Sequence, residues 1–349
     1  PEAVGGAPGS RRSGAAGSPD RPDPALLPGG LDFELTGRGL QLFGEPGELQ
    51  RAGGHLFAPV PHFDHRGIHG GHVTGDLLGD GRRLGEVMDF PIEGLHNETG
   101  PGVLEVAIGV DQALHSADKA ALFKTFAKVA AQRNGLMATF MAKWSNDYPG
   151  QSGHIHLSLK DMDGKSAFYD EAHPHKMSKE MRHFTAGCQH YMPQVLAMVA
   201  STVNSYSRLV PGYWAPTNST WGVENRTCAL RVIPGSARSQ RLEYRVAGAD
   251  ANPYLALAAA LASGMWGIEE QLEPLDPIQG NAYAQDLPEH LNLPDTLWNA
   301  AQRLKTCQRA RELFGNAFID HFAATREWEE RELRKAITDW ELRRYFEII

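Results

Sequence analysis

The chain has 349 residues, 42% of them apolar and 22% charged, which is ordinary for a globular protein with one large or two ordinary domains. Its formal net charge of −8 argues against a general nucleic-acid-binding protein, whose affinity comes mainly from lysine and arginine on phosphates. The three cysteines include no Cys-x-x-Cys pair, and no apolar run is long enough to span a bilayer. We therefore expect a cytoplasmic protein with reduced cysteines and no membrane or nucleic-acid partner.

The first 30 residues are mostly Gly, Pro, Ala, Ser, Arg and Asp. Such a segment cannot bury enough apolar surface to offset the entropy lost on ordering, so we predict residues 1–30 to be low-complexity and disordered. Residues 31–349 are predicted to form one domain. Residues 41–85 are glycine-rich and contain five histidines whose irregular spacing matches no standard metal motif, namely His55, His62, His65, His69 and His72.

The ordered elements begin with short strands predicted at 31–35 and 104–108. A helix is predicted from Ser116, as its N-cap, to Asn134, where Gly135 suits the residue after the helix end. Residues 137–143 are apolar and resemble a strand.

Two later strands alternate with period two and therefore present polar side chains on one face. The strand at 154–159 places His154, His156 and Ser158 together, and the strand at 240–246 does so for Arg241, Glu243 and Arg245. Helices are predicted at 178–202, at 250–271 and from about residue 295 onward. This irregular alternation predicts an α+β fold with a mostly antiparallel sheet.

Carboxylates and one imidazole recur on these short strands. Oxygen ligands with an imidazole suit Mg²⁺ or Mn²⁺, and the candidates are Glu34, Glu98, Glu105, His154 and Glu243. Taken singly, a glutamate on an amphipathic strand is more often a solvated residue than a metal ligand, and His154 could be a packed core histidine.

Five arginines accompany them, at Arg208, Arg226, Arg231, Arg241 and Arg245. Guanidinium groups bind carboxylate and phosphate oxygens through a planar fork of donors. A divalent metal surrounded by arginines is typical of sites that catalyse phosphoryl transfer. Any one of these arginines alone could instead be an ordinary salt-bridge member.

Several motifs together carry a specific resemblance. Residues 204–216 read Asn-Ser-Tyr-x-Arg-Leu-Val-Pro-Gly-Tyr-x-Ala-Pro, and Glu-Asn-Arg-Thr, His-x-His-x-Ser, Arg-Leu-Glu-Tyr-Arg and Ala-Asn-Pro-Tyr-Leu-Ala also occur. In these motifs, and over residues 90–349, the chain resembles the glutamine synthetase family, and in character its γ-glutamylpolyamine and γ-glutamylamine synthetase branch. The resemblance implies a curved, mostly antiparallel sheet with helices packed outside it.

The same resemblance implies an ATP-dependent carbon–nitrogen ligase of nitrogen metabolism that uses Mg²⁺ or Mn²⁺. ATP would phosphorylate the γ-carboxylate of glutamate, and an amine nitrogen would then displace the phosphate. The metal ligands implied for the amino-acid side are Glu34, Glu98 and Glu105. Those implied for the nucleotide side are His154 and Glu243.

Further roles follow from matching positions in the family. Gly150, Arg208 and Arg245 resemble the residues at the glutamate substrate, with Arg208 at its α-carboxylate and Arg245 near its γ-carboxylate. Nucleotide-side or phosphate-facing positions are matched by His156, Ser158, Arg226, Arg231 and Arg241. Arg208, Arg226 and Arg245 would thus take part in catalysis.

Trp214 is the main departure from the family pattern. Glutamine synthetases have at this position a glutamate that helps to bind and deprotonate ammonium. An indole cannot accept that proton, but it can stack on an alkyl amine or attract its ammonium. The substitution predicts a glutamate–amine ligase with an organic amine or polyamine acceptor; alternatively, Trp214 only packs the loop. Val103 also replaces the usual glutamine of the Pro-Gly-Gln turn.

Two other readings stay open at this point. The enzyme could be a glutamine synthetase that uses ammonia, which Trp214 disfavours. It could also be a non-catalytic structural relative, like the eye-lens member of the family, since nothing in residues 1–30 resembles the N-terminal β-grasp domain of full-length members. The resemblance further implies a homo-oligomeric ring assembly of ten or twelve subunits.

Overall fold

A computed structural model describes the backbone of residues 32–43 and the whole of residues 91–348. The predicted disordered segment 1–30 and the five histidines between 55 and 72 lie outside the described residues. No helix in the described part is both long and apolar enough to cross a membrane.

The described residues contain one nine-stranded sheet. Its strands are β1 Asp32–Phe43, β2 Ile92–Asn97, β3 Val103–Ile108, β4 Asp111–Gln112, β5 Met137–Thr139, β6 Gly153–Leu157, β7 Trp221–Val223, β8 Leu230–Ile233 and β9 Arg241–Tyr244. They are neighbours in the order β2-β3-β1-β6-β9-β8-β7, with β4 and β5 also paired to β1. Every pairing is antiparallel except that of β7 with β8, which confirms the predicted mostly antiparallel α+β fold.

The central strands alternate between two faces because successive side chains of a strand point to opposite sides. On one face lie fully buried apolar residues such as Ile155, Leu157, Leu230 and Leu242, which belong to the hydrophobic core. The intervening positions carry histidine, glutamate and arginine. This alternation places the apolar core on one side of the sheet and the polar candidate site on the other.

Eight helices follow in the described residues, and those at the centre of the fold cover the apolar face. The helices Lys179–Val199 and Pro253–Glu269 cross closely, since a Cβ on Gly187 would lie 2.6 Å from the Cα of Gly267. The helices are α1 Ala113–Arg133, α2 Lys179–Val199, α3 Val203–Arg208, α4 Pro253–Glu269, α5 Leu297–Thr306, α6 Gln308–Phe314, α7 Asn316–Leu333 and α8 Asp339–Tyr345.

The start of α1 differs from the sequence prediction. The helix begins at Ala113, directly after β4, so the prediction of Ser116 as its N-cap is wrong. The Ser116 hydroxyl instead donates to the carbonyl oxygen of Asp111 at 3.1 Å, inside the first turn. The helix ends as predicted, with Gly135 in the left-handed region at φ 71°.

Candidate active site

A row of four residues crosses the polar face of the sheet. Backbone pairing places Glu34 on β1 opposite His156 on β6, His156 opposite Glu243 on β9, and Glu243 opposite Arg231 on β8. Residues directly opposite each other in antiparallel strands have neighbouring Cβ positions. The sheet register therefore brings together four predicted site residues that are distant in the sequence.

Glu243 is the centre of this row. Its carboxylate, 3% exposed, accepts hydrogen bonds from His154 Nδ1 at 3.1 Å, Arg245 Nη1 at 2.9 Å and Arg231 Nη1 at 3.1 Å. Burial alone would raise the pKa of Glu243, but His154 and Arg245 outweigh it and hold the pKa well below its usual range. The residue is therefore a buried anion at every physiological pH.

His154 is a neutral donor in this arrangement. Burial, followed by the charge of Arg245, lowers the pKa of its imidazole to about 4. Because Nδ1 faces the Glu243 carboxylate, we assign its proton to Nδ1, which leaves the Nε2 lone pair as a potential metal ligand. Such carboxylate–histidine pairs fix the tautomer of metal-binding histidines.

Glu98 and Glu105 form a second acidic pair. A tight turn joins them, in which the Glu98 amide donates to Val103 O at 2.9 Å and Gly102 adopts φ 71°. Burial and a hydrogen bond between the two carboxyls raise the pKa of Glu105 to about 8, and Arg226 acts in the opposite direction. Two carboxyls forced together in this way hold a proton that a divalent cation can replace.

These donors suit a divalent metal ion by their chemistry. The carboxyl pair of Glu98 and Glu105 supplies oxygen atoms, and Mg²⁺ and Mn²⁺ prefer oxygen ligands. Among the residues with described side chains, no three His, Cys, Asp or Glu form a ready metal-binding group. The backbone of Glu34 adjoins the site through β1, but its side chain lies outside the described set.

Arg231 is held between two carboxylates. One is Glu243, and the other is Glu224, which accepts from Arg231 Nε at 2.9 Å and also from Nη2. Glu224 is half exposed and adopts φ 50°, which is uncommon for a residue with a side chain. The pair of carboxylates orients the Arg231 guanidinium at the end of the row.

His156 and Arg241 also contact each other. Arg241 Nε donates to His156 Nδ1 at 2.8 Å, and Arg241 Nη1 donates to the carbonyl of Ser239. Burial lowers the pKa of His156 to about 3, so its imidazole is neutral. Ser158 follows the end of β6, two residues beyond His156, and is partly buried. His156 and Arg241, two of the predicted nucleotide-side residues, are thus in contact between β6 and β9.

Arg208 is buried beneath the polar face. Its two Nη atoms donate to the carbonyls of Val246 at 2.8 Å and Arg245 at 3.0 Å. Gly150 packs against its stem: a Cβ there would collide with Ala142 O and lie 2.8 Å from Arg208 Cγ. Glycine is therefore required at 150 for Arg208 to occupy this position.

Arg245 and Arg226 complete the cationic side. Arg245 is 4% exposed, and within the described residues its buried Nε has no hydrogen-bond partner. Arg226 is exposed, and its charge acts on both Glu105 and Arg245. A buried donor without a partner is costly in a native protein.

The 211–216 loop places Trp214 beside a cavity. Trp214 adopts φ 58°, and its side chain is 61% exposed. It borders a cavity of about 320 Å³, whose lining residues are Gly212, Trp214, Thr227, Gly280, Asn281 and Tyr283. A bulky residue with positive φ is strained, so the surrounding contacts must hold this conformation.

Both neighbours of Trp214 are anchored. The Lys143 ammonium lies 4.2 Å from the ring centroid of Tyr213, and the Tyr283 hydroxyl donates to Ala215 O at 2.9 Å. Lys143 is itself fixed, because Asn204 exchanges two 2.8 Å hydrogen bonds with its backbone. Asn204 of the first motif thus connects the loop to the rest of the site.

Three of these contributors were not predicted from the sequence. Glu224 is the first residue of the Glu-Asn-Arg-Thr motif that contains Arg226, so its motif was a signal for a place beside the arginines. Lys143 is a charged residue at the end of an apolar run, which is a weaker signal. Tyr283 is 68 residues away from Ala215 in the chain, and its neighbouring residues give no indication of the contact.

Comparison with known protein families is consistent with this arrangement of acidic and basic residues. The family model described as the glutamine synthetase catalytic domain matches residues 72–345. The chain belongs to the glutamine synthetase family. This membership accounts for the sheet of short strands with acidic and basic residues on one face.

Several relatives within the glutamine synthetase family are similar over most of the chain. Type-1 glutamine synthetase 2 of Dictyostelium discoideum is 46% identical over 76% of this chain and 52% of its own length. Glutamate–isopropylamine ligase of a Pseudomonas species is 38% identical over 85% of this chain and 62% of its own length. Gamma-glutamylethanolamide synthetase GlnA4 of Streptomyces coelicolor is 43% identical over 73% of this chain and 54% of its own length.

A solved structure of GmaS without ligand superimposes with a TM-score of 0.77 at 27% identity, covering 91% of this chain and 73% of that one. The present chain spans only about half to three fifths of the length of the curated relatives named above. The glutamine synthetase catalytic fold is therefore shared across most of the chain.

Proposed function

We propose that the protein joins the γ-carboxylate of glutamate to the nitrogen of an organic amine, using ATP and a γ-glutamyl phosphate intermediate. The observation that carries this proposal is Trp214, which stands at a cavity mouth where the ammonia-using pattern has a glutamate. Two of the relatives support it, because their names specify isopropylamine and ethanolamide products or substrates.

The polar face divides into a metal side and a phosphate side in this proposal. A divalent metal ion would be held by the predicted ligands Glu34, Glu98, Glu105, His154 and Glu243. Bound there, it would neutralise charge on the phosphate oxygens. The fit rests on the proton-sharing carboxyl pair of Glu98 and Glu105 and on the neutral imidazole of His154.

The arginines bind and orient the anionic substrates. Arg208 and Arg245 are proposed to hold glutamate, with Gly150 leaving space for the Arg208 stem. Arg245 suits the γ-carboxylate because its guanidinium adjoins Glu243 and its charge acts on His154 at the centre of the row. Arg226, Arg231 and Arg241 are proposed to face the phosphates of ATP, with His156 and Ser158 beside the nucleotide.

The proposed reaction has two steps, phosphoryl transfer and amide formation. A γ-carboxylate oxygen of glutamate attacks the γ-phosphorus of ATP, and ADP leaves. The amine nitrogen then attacks the γ-carbonyl carbon, the bond from carbon to the phosphate oxygen breaks, and the nitrogen gives one proton to the departing phosphate. The 211–216 loop, anchored by Lys143 and Tyr283, is proposed to exclude water that would hydrolyse the acyl phosphate.

Phosphate release from ATP tests this proposal, measured with glutamate and either ammonium or a panel of primary amines. We expect turnover with at least one amine to exceed turnover with ammonium. Faster turnover with ammonium than with every amine would contradict the proposal and favour a glutamine synthetase. ATP binding without turnover for any acceptor would favour a non-catalytic member.

A Trp214→Glu variant tests the role of the loop separately. Because glutamate can accept a proton from ammonium, the variant is expected to gain activity with ammonium relative to the amines. An unchanged acceptor preference would assign Trp214 to loop packing only.

We also propose a ring-shaped homo-oligomer by analogy with the family. Light scattering of the purified protein should give a mass that is a large multiple of the 38.2 kDa chain. A monomeric mass would overturn this part of the proposal.

A further inference from the structure

Asp250 directly precedes the Ala-Asn-Pro-Tyr-Leu-Ala motif, which the proposed reaction leaves without a role. The residue lies in the connection between β9 and α4 and is partly buried. Its Oδ2 atom accepts hydrogen bonds from Thr202 Oγ1 and Ser205 Oγ, both at 2.6 Å. One carboxylate oxygen thus holds two hydroxyl groups at the start of α3.

The two hydroxyls also form the capping box of α3. Thr202 Oγ1 accepts from the Ser205 amide at 3.1 Å, and Ser205 Oγ accepts from the Thr202 amide at 3.2 Å. Each hydroxyl therefore donates to Asp250 and accepts from the backbone of the helix start. Loss of the carboxylate would take this acceptor away from both hydroxyls, and Ser205 is only 2% exposed to water.

The same connection holds the other end of α3. Arg208 is the last residue of this helix, and its two Nη atoms donate to the carbonyls of Arg245 and Val246. Residues 245–250 therefore contact both ends of α3. Because a helix rises about 1.5 Å per residue, Thr202 and Arg208 are only about 9 Å apart along it. A shift at the start of so short a helix would be transmitted to Arg208.

The packing around Asp250 leaves room for its carboxylate. A Cβ on Gly248 would collide with Asp250 Oδ1, so the glycine provides the space that this oxygen occupies. Burial lowers the pKa of Arg208 to about 10, and the charge of Asp250 acts in the opposite direction. The carboxylate therefore supports Arg208 both through the helix and through its charge.

We propose that Asp250 is a positioning residue for glutamate, because it holds α3 and thereby keeps Arg208 in the orientation that binds the α-carboxylate. The proposal rests on the ligase function above, in which Arg208 binds glutamate. Each Nη atom of Arg208 carries two hydrogens, and the carbonyl contacts use one on each. A guanidinium binds a carboxylate through a fixed fork of donors, so its orientation decides the strength of that contact.

Asp250→Asn tests this proposal with nearly unchanged side-chain shape. The amide keeps one acceptor oxygen but lacks the charge that strengthens both hydroxyl contacts. In steady-state kinetics with a saturating amine, KM for glutamate should rise about 10-fold, and KM for ATP should change by less than about 2-fold. Asp118→Asn is the matched control, because Asp118 accepts from the Tyr254 hydroxyl at 2.7 Å, on α4 rather than on α3. It should leave both constants unchanged.

A second pair of variants acts at the other side of the same hydrogen bond. Thr202→Val removes the hydroxyl at nearly unchanged volume, whereas Thr202→Ser keeps it. Thr202→Val should raise KM for glutamate selectively, as Asp250→Asn does, and Thr202→Ser should restore the behaviour of the unaltered protein. Thermal melting followed by circular dichroism measures the stability of each variant beside its kinetics.

Each outcome has a separate meaning. An unchanged KM for glutamate, or equal rises in KM for glutamate and for ATP, would overturn the proposal and leave Asp250 as a structural cap of α3. A rise for glutamate alone in Asp250→Asn and Thr202→Val, with none in Asp118→Asn and Thr202→Ser, would support it. No turnover by the unaltered protein with any amine or with ammonium would overturn the ligase function itself.

Discussion

The two halves of the candidate site are built differently. The strand half stands on paired strands, where backbone register fixes Glu243 opposite His156 and Arg231. The 211–216 loop is held by contacts from distant segments, including Lys143 and Tyr283, and carries Trp214 in a strained backbone conformation. Groups that act on phosphate need fixed positions, which strands provide.

Under the proposed function, we expect the strand half to carry the reaction and the loop half to select the acceptor. Changes at the strand residues are expected to abolish the reaction or unfold the protein. Changes in the loop are expected to alter which amine reacts. Selective residues commonly lie on loops supported by a rigid scaffold.

The largest effect is expected on the strand side, at Glu243. Glu243→Ala leaves the buried Arg245 and the adjoining Arg231 without a shared partner, which should lower the free energy of unfolding by about 3–5 kcal/mol. Denaturant unfolding followed by circular dichroism measures this change.

Glu224→Ala is the matched control for Glu243→Ala, because Glu224 also accepts from Arg231 but is half exposed. Exposed ion pairs contribute little, so its cost should stay below about 1 kcal/mol. Equal losses in the two variants would mean that Glu243 is not the buried centre of the network.

A smaller effect is expected for metal binding. Glu98→Gln removes one carboxylate of the proton-sharing pair and should weaken Mn²⁺ binding by on the order of 10- to 100-fold, as measured by calorimetric titration. Glu93→Gln, an exposed change on β2, the strand that ends directly before Glu98, serves as the control. Similar affinities for both variants would exclude Glu98 as a ligand.

The packing of Gly150 gives the next prediction. Gly150→Ala forces a methyl group against Ala142 O and the Arg208 stem, and such overpacking costs about 1–3 kcal/mol. Because Arg208 must move, KM for glutamate should rise more than KM for ATP in steady-state kinetics. An equal rise in both would contradict the role of Arg208 at glutamate.

The smallest effect is expected in the loop. Lys143→Met removes the ammonium from the Tyr213 ring, a contact of about 0.5–2 kcal/mol, and should increase hydrogen exchange of the 211–216 loop and raise KM for the amine. Lys143→Arg retains a cation and should restore both properties. Unchanged exchange in Lys143→Met would show that the contact does not anchor the loop.

The strand half of the site was predictable from local pattern. Period-two alternation assigned His154, His156, Glu243 and Arg245 to one face, and sheet pairing then brought that face together. The order of the strands was not predictable in this way, because β1, β6 and β9 become neighbours through pairings between residues far apart in the chain.

The loop half was predictable only in part. The motif identified Trp214 as the departure from the family, but the cavity depends on Gly280, Asn281 and Tyr283, which come from a segment with no recognised signal. The prediction of Ser116 as the N-cap of α1 was also wrong, because α1 begins at Ala113, directly after β4.

A competition experiment tests the central claim most directly. The protein is incubated with ATP, Mg²⁺, glutamate and equal concentrations of butylamine and ammonium, and both products are quantified by mass spectrometry. The account predicts that γ-glutamylbutylamide exceeds glutamine. Glutamine as the main product would contradict it.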